Sequence, residues 1–195
     1  MNVFSISTRQ KLFLIFLMVS FAYVAWLIQL IFIVKLKLSH SIANLPLTIV
    51  IVTGLMANKK RLKYPPGQIA KLSLKELIKS QFKNGSLVGL GLGAFMASLE
   101  KSLTGSFPVS YIFVGYLSGY FSLRNFNWPV ILIIPLVFMF SILSECIYAI
   151  QLFQIPGVYN HLIRFAMVEA SLNALIAPFV YYPINTLYEF WTGLE

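Results

Sequence analysis

Apolar residues in this chain come in long blocks, with no sustained alternation of apolar and polar positions of the kind a half-buried strand would show. The blocks run over residues 12–34, 42–57, 85–100, 108–124, 129–151 and 162–188, and polar residues gather between them. About 20 consecutive apolar residues are what a helix needs to cross the roughly 30 Å hydrocarbon layer of a bilayer. The pattern therefore predicts an all-α fold, a polytopic membrane helix bundle of about six transmembrane helices in one domain. The first block is longer than the 7–15 apolar residues of a signal peptide and lacks a small-x-small cleavage site, so it is expected to remain as a span. The second block is short and begins at Asn44 and Pro46. Glu100, Lys101, Ser102, Thr104 and Gly105 read as the turn after the third span, and Pro156 and Gly157 as the loop before the sixth. Pro178 and Pro183 are expected to bend or interrupt that last span.

Glycine placement adds a packing prediction. Seven of the eleven glycines lie between Gly85 and Gly119. Gly85, Gly89, Gly93 and Ala97 recur every fourth residue, which puts four nearly bare positions on one helix face, and Gly115 with Gly119 repeats the spacing. Interior glycines weaken a water-exposed helix by about 1 kcal/mol each. Inside a bilayer the helix persists, and the bare face lets another backbone approach closely. These six residues are thus candidates for helix packing or for a partner interface.

Composition points the same way: 58% hydrophobic residues, 11% charged residues and a mean hydropathy of +0.81 are far from a soluble domain. The formal net charge of +9 does not imply nucleic acid, because no soluble basic domain accompanies it. With the amino terminus in the cytoplasm, eleven basic residues fall on the cytoplasmic side and Lys35, Lys37, Lys101 and Arg164 on the other. That asymmetry satisfies the positive-inside rule and returns the carboxyl terminus to the cytoplasm after six spans. The expected location is a bacterial cytoplasmic (inner) membrane.

Between the second and third spans, residues 58–84 form the one long polar stretch. Lys71, Lys75, Lys79 and Lys83 recur every four residues and make a single basic stripe on a helix, with Ile69, Leu72, Leu77 and Ile78 away from it. Two readings stand: an amphipathic helix on anionic lipid, or a solvated loop that only fixes topology.

Candidate chemistry is sparse. The chain has no aspartate, so a Ser-His-Asp triad is excluded, and His40 and His161 have no recognised metal-ligand spacing. The lone Cys146 cannot form an intrachain disulfide. Gly89, Gly91 and Gly93 lack both the GxGxxG spacing and a following Gly-Lys-Ser or Gly-Lys-Thr. Neither cofactor nor enzymatic constellation is expected. What remains is a set of polar residues at or near membrane depth: Glu100, Glu145, Arg164, Glu169 and Asn173. Ionisable groups there usually face a bundle interior or a water-filled cavity. Glu145 late in the fifth span and Glu169 early in the sixth match in depth in an antiparallel hairpin, with Arg164 in position to pair with either. A polar pocket and an interhelical pairing that fixes helix rotation are both open.

The segment Ala174, Leu175, Ile176, Ala177, Pro178, Phe179, Val180, Tyr181, Tyr182, Pro183, Ile184 and Asn185 resembles the end of the rod shape-determining protein MreD family, particularly its cyanobacterial branch. Ser144 to Gln151 is similar to that branch's fifth-span ending, and Gly115, Tyr116, Leu117, Ser118 and Gly119 to the family's Gly-Tyr-x-x-Gly fourth span. The resemblance covers residues 45 to 191 in pieces. It departs at Glu100–Lys101, where the family usually has an aspartate, and in the length of the loop 58–84. It implies a non-enzymatic scaffold of the cell-elongation machinery, with MreC-like and MreB-like proteins and a peptidoglycan glycosyltransferase/transpeptidase pair as partners. The family's fold is similar to the substrate-binding subunit of energy-coupling-factor vitamin transporters, which supplies the alternative function.

Overall fold

The computed structural model describes residues 8–33, 43–57, 85–104, 107–121, 129–154 and 157–192. Six helices follow one another, with no strand among the described residues: α1 (Thr8–Ile28), α2 (Leu45–Ala57), α3 (Gly85–Thr104), α4 (Val109–Ser118), α5 (Pro129–Gln151) and α6 (Val158–Thr192). A π-helical turn, Gln29–Ile33, continues α1. Two stretches, Pro129–Gln151 and Arg164–Glu189, are long and apolar enough to cross a membrane.

α2 sits at the centre. Twelve of its thirteen residues are buried, so it presents no outer face at all, as expected of a helix that is apolar all round. Its 13 described residues span about 20 Å. α3, α4, α5 and α6 pack around it, and α1 touches the bundle along Met18, Ala22, Ala25 and Trp26. α5 and α6 bury one stripe each and leave large apolar side chains exposed on the other, among them Ile131, Met139, Ile150, Leu175 and Phe179.

Three expectations change. α3 runs on through Glu100 and Lys101 to Thr104, so the polar residues placed in a turn form its last turn instead. α4 stops at Ser118 and is closed by Gly119, whose N–H bonds the Gly115 carbonyl at 3.3 Å, rather than continuing to residue 124. α6 is helical from Val158 to Thr192, straight through Pro178 and Pro183. Each proline removes one N–H from the helix ladder, yet the two carbonyls left over do not end it, because every other residue still has its partner four positions back. Gly157, at φ 91°, supplies the left-handed turn before α6.

The predicted bare face of α3 meets α4. A Cβ on Gly89 would overlap the Gly115 carbonyl, and one on Gly115 would overlap the Gly89 carbonyl. Gly93 lies against the Tyr111 carbonyl, and Ala97 is fully buried. Gly54 of α2 completes this layer against Ser118 and Gly119. Gly91, in contrast, has nothing within 4 Å of its added Cβ.

Candidate functional site

The amino end of α2 lies inside the bundle, near the middle of both α5 and α6. A helix begins with backbone N–H groups that have no partner within it, and burial makes leaving them unsatisfied costly. Here side chains from three elements serve them. Asn44, the residue before α2, accepts the Leu47 N–H on its Oδ1 at 3.0 Å, the usual work of an N-cap asparagine. Gln29, in the π-helical turn after α1, accepts the Leu45 N–H at 2.6 Å. Asn173 of α6 accepts the Asn44 N–H at 2.6 Å. Pro46 has no N–H to satisfy, which suits it to a first turn.

The same groups tie the remaining helices together. Asn44 donates from Nδ2 to the Tyr111 hydroxyl of α4 at 2.6 Å, and Asn173 donates from Nδ2 to Ser141 Oγ of α5 at 3.1 Å. Because each amide donates from nitrogen and accepts on oxygen to named partners, the orientation of both is fixed. A second side chain does similar work for α4: Gln151 accepts the Val109 N–H at 3.2 Å and donates to the Phe107 carbonyl at 2.6 Å.

Acidic residues gather on this polar layer. Glu145 lies one turn beyond Ser141, and Glu169 one turn before Asn173. Glu145 is within electrostatic reach of both Glu169 and Tyr111, and Glu100, on the last turns of α3, also acts on Tyr111. All three carboxyls are half-buried, whereas Arg164 and Lys101 are exposed. Trp26 of α1 directs its indole N–H at the Glu100 carboxyl, short of hydrogen-bond geometry. Among the described residues, no three His, Cys, Asp or Glu side chains are grouped so as to hold a metal ion.

The structure thus brings Glu145 and Glu169 within reach of each other beside Ser141 and Asn173, places Glu100 within electrostatic reach of Tyr111, and leaves Arg164 exposed. Gly89, Gly93, Ala97, Gly115 and Gly119 belong to the helix-packing layer, and Gly85 opens α3. Lys71, Lys75, Lys79, Lys83 and His40 lie outside the described residues, as does the side chain of His161. Sequence reasoning missed Trp26, Gln29, Asn44, Tyr111, Ser141 and Gln151. A signal was present for Gln29 and Gln151, each an isolated amide in or at the end of an apolar block, where an unpartnered polar group is costly. Compared with known proteins, the chain matches no family model, no curated protein and no solved structure.

Proposed function

We propose that this chain is a multi-pass, non-enzymatic membrane subunit of the bacterial cell-elongation machinery, a scaffold linking MreB-like and MreC-like proteins to the synthases of the cell wall. The observation that carries the reading is where the family-like residues fall. Gly115 and Gly119 make the backbone contacts of α4 with α3 and α2, Ser144 to Gln151 forms the part of α5 bearing Glu145 and Gln151, and Ala174 to Asn185 continues α6 beyond Asn173. The resemblance therefore rests on the segments that build the bundle. Exposed Ile131, Met139, Leu175 and Phe179 suit lipid or the single span of a partner. Both termini lie in the cytoplasm in this reading, and the basic stretch 58–84 faces anionic lipid.

Because Gly89 and Gly93 are used inside the bundle, the partner test belongs on the open face of α3. Mild-detergent purification of the tagged chain, with mass spectrometry of proteins and small molecules, should recover an MreC-like protein or a peptidoglycan synthase. Gly91→Leu, which fills open space, is the variant to set beside it. Recovery of an ATPase module with a stoichiometric small ligand would reject the scaffold.

The second reading, a substrate-binding subunit of a vitamin transporter of the energy-coupling-factor type, is favoured by the polar layer itself. A helix whose amino end begins at mid-bundle among convergent polar side chains is how many transporters build a substrate site.

A further inference from the structure

α1 is fastened to the bundle chiefly by polar contacts at its carboxyl end. Met18, Ala22, Ala25 and Trp26 recur at helical spacing and are buried, while Phe16, Tyr23, Val24, Ile28 and Ile31 are exposed. Two of the four buried positions are alanines, so this face has little side chain to interlock. Among the described residues α1 packs mainly on α2 and only lightly on α3, whereas α5 and α6 share a long contact and α3 meets α4 backbone to backbone. The polar contacts lie close together: Gln29 accepts the Leu45 N–H at 2.6 Å, and the Trp26 indole N–H faces the Glu100 carboxyl. Gln29 also opens a π-helical turn, a rare geometry that recurs at functional positions in helices.

Lipid tails are as apolar as the face that α1 buries, so leaving the bundle costs this helix packing contacts but no hydrophobic burial. What resists departure is the Leu45 N–H, which would lose its acceptor where lipid tails offer none. We propose that α1 is a gate, held shut by Gln29 and Trp26, that parts from α2 and α3 as a unit while α2 to α6 stay assembled. Opening bares the amino end of α2 and the Glu100 side of α3 along one flank of the bundle. The remaining caps, Asn44 on Leu47 and Asn173 on Asn44, do not involve α1, so α2 keeps its place when the gate opens. The gate follows from packing, under either the scaffold or the transporter reading.

The test is residue-resolved hydrogen exchange on the full chain in lipid nanodiscs, under conditions where each rate reports an opening equilibrium. Leu45 is the probe, because the acceptor of its N–H lies on Gln29. Leu45 and the amides from Ala22 to Trp26 should share one opening equilibrium, at least about tenfold more open than that of Val137 to Ser141 in α5. Gln29→Leu should speed exchange at Leu45 and at Ala22 to Trp26 by a common factor of about three to ten and leave α5 unchanged. Acceleration at Leu45 alone would mean that a single hydrogen bond was lost and no gate opened, which overturns the proposal. A second readout leaves Gln29 in place. In a Cys146→Ser background in detergent, Ala25→Cys on the covered face of α1 should react with N-ethylmaleimide about tenfold faster than Ala177→Cys in the core. Equal protection of α1 and α5, or equal labelling of the two cysteines, likewise overturns it.

Discussion

Two layers hold this bundle together by opposite means. In the glycine layer, Gly89 and Gly115 bring the backbones of α3 and α4 into contact, with Gly54 of α2 against Ser118 and Gly119 beside them. In the polar layer, Asn44, Gln29, Tyr111, Asn173 and Ser141 hold α1, α2, α4, α5 and α6 by hydrogen bonds of 2.6–3.1 Å. The first layer has no tolerance for added atoms, since what a new methyl meets is a carbonyl on a helix that cannot move alone. The second can absorb a change of shape but not the loss of a partner, because a buried N–H left behind keeps its whole desolvation penalty. The same bundle therefore fails in two distinct ways.

The largest effect is expected in the glycine layer. Gly115→Val should destabilise by about 3 kcal/mol or more, read as a lost folded fraction in detergent denaturation, because its Cβ alone already enters space held by the Gly89 carbonyl and Val50. If Gly115→Val unfolds no more readily than the parent, the close backbone contact is not what joins α3 to α4. Next comes Asn173→Ala, which strands the Asn44 N–H and removes the donor to Ser141. A loss of roughly 2–3 kcal/mol should appear in the same denaturation experiment. Gln29→Leu keeps the apolar block but leaves the Leu45 N–H unanswered, for about 1–2 kcal/mol. Amide hydrogen exchange at Leu45 should accelerate in that variant while exchange in α5 stays as it was. Smallest is Gly91→Ala, where the added methyl meets open space. Stability should stay level or rise by up to about 1 kcal/mol from helix propensity, and any marked loss would show that the α3 face at Gly91 is covered. Combining Gly115→Val with Asn173→Ala sharpens the comparison. Independent layers give additive effects within about 0.5 kcal/mol, and a larger coupling would mean that α2 transmits strain between them.

The glycine layer was legible in the chain because its information is local: a four-residue spacing is visible wherever it occurs. Its partner was half legible, since Gly115 shared the spacing while Gly54 stood alone in the second apolar block. The polar layer was mostly hidden. Asn173 stood out as an amide beside Glu169, but Asn44 reads as a boundary residue and Gln29 as a stray polar position in a long apolar run. What gives both their role is the depth at which α2 begins, and depth is set by packing with helices far along the chain. The acidic residues were found because charge in an apolar block is conspicuous, whereas Trp26 looks like any interfacial aromatic until its indole N–H is seen facing the Glu100 carboxyl. Pro178 and Pro183 misled in part for the reciprocal reason: of the bend or interruption their local preference predicts, the interruption is overridden by the rest of α6.

The central position of α2 has a consequence for how the chain is made. Its amino end is held by Asn173, 129 residues further along from Asn44. Synthesis delivers domains from the amino terminus onward, so α2 emerges well before α6 exists. Until then the N–H of Asn44 must borrow water, lipid headgroups or the insertion machinery. The innermost helix of the finished bundle is thus among the first made and the last secured, and contacts of such long sequence separation are slow to form. A chain halted before Asn173 would hold every glycine of the close-packed layer and still leave the Asn44 N–H without its acceptor.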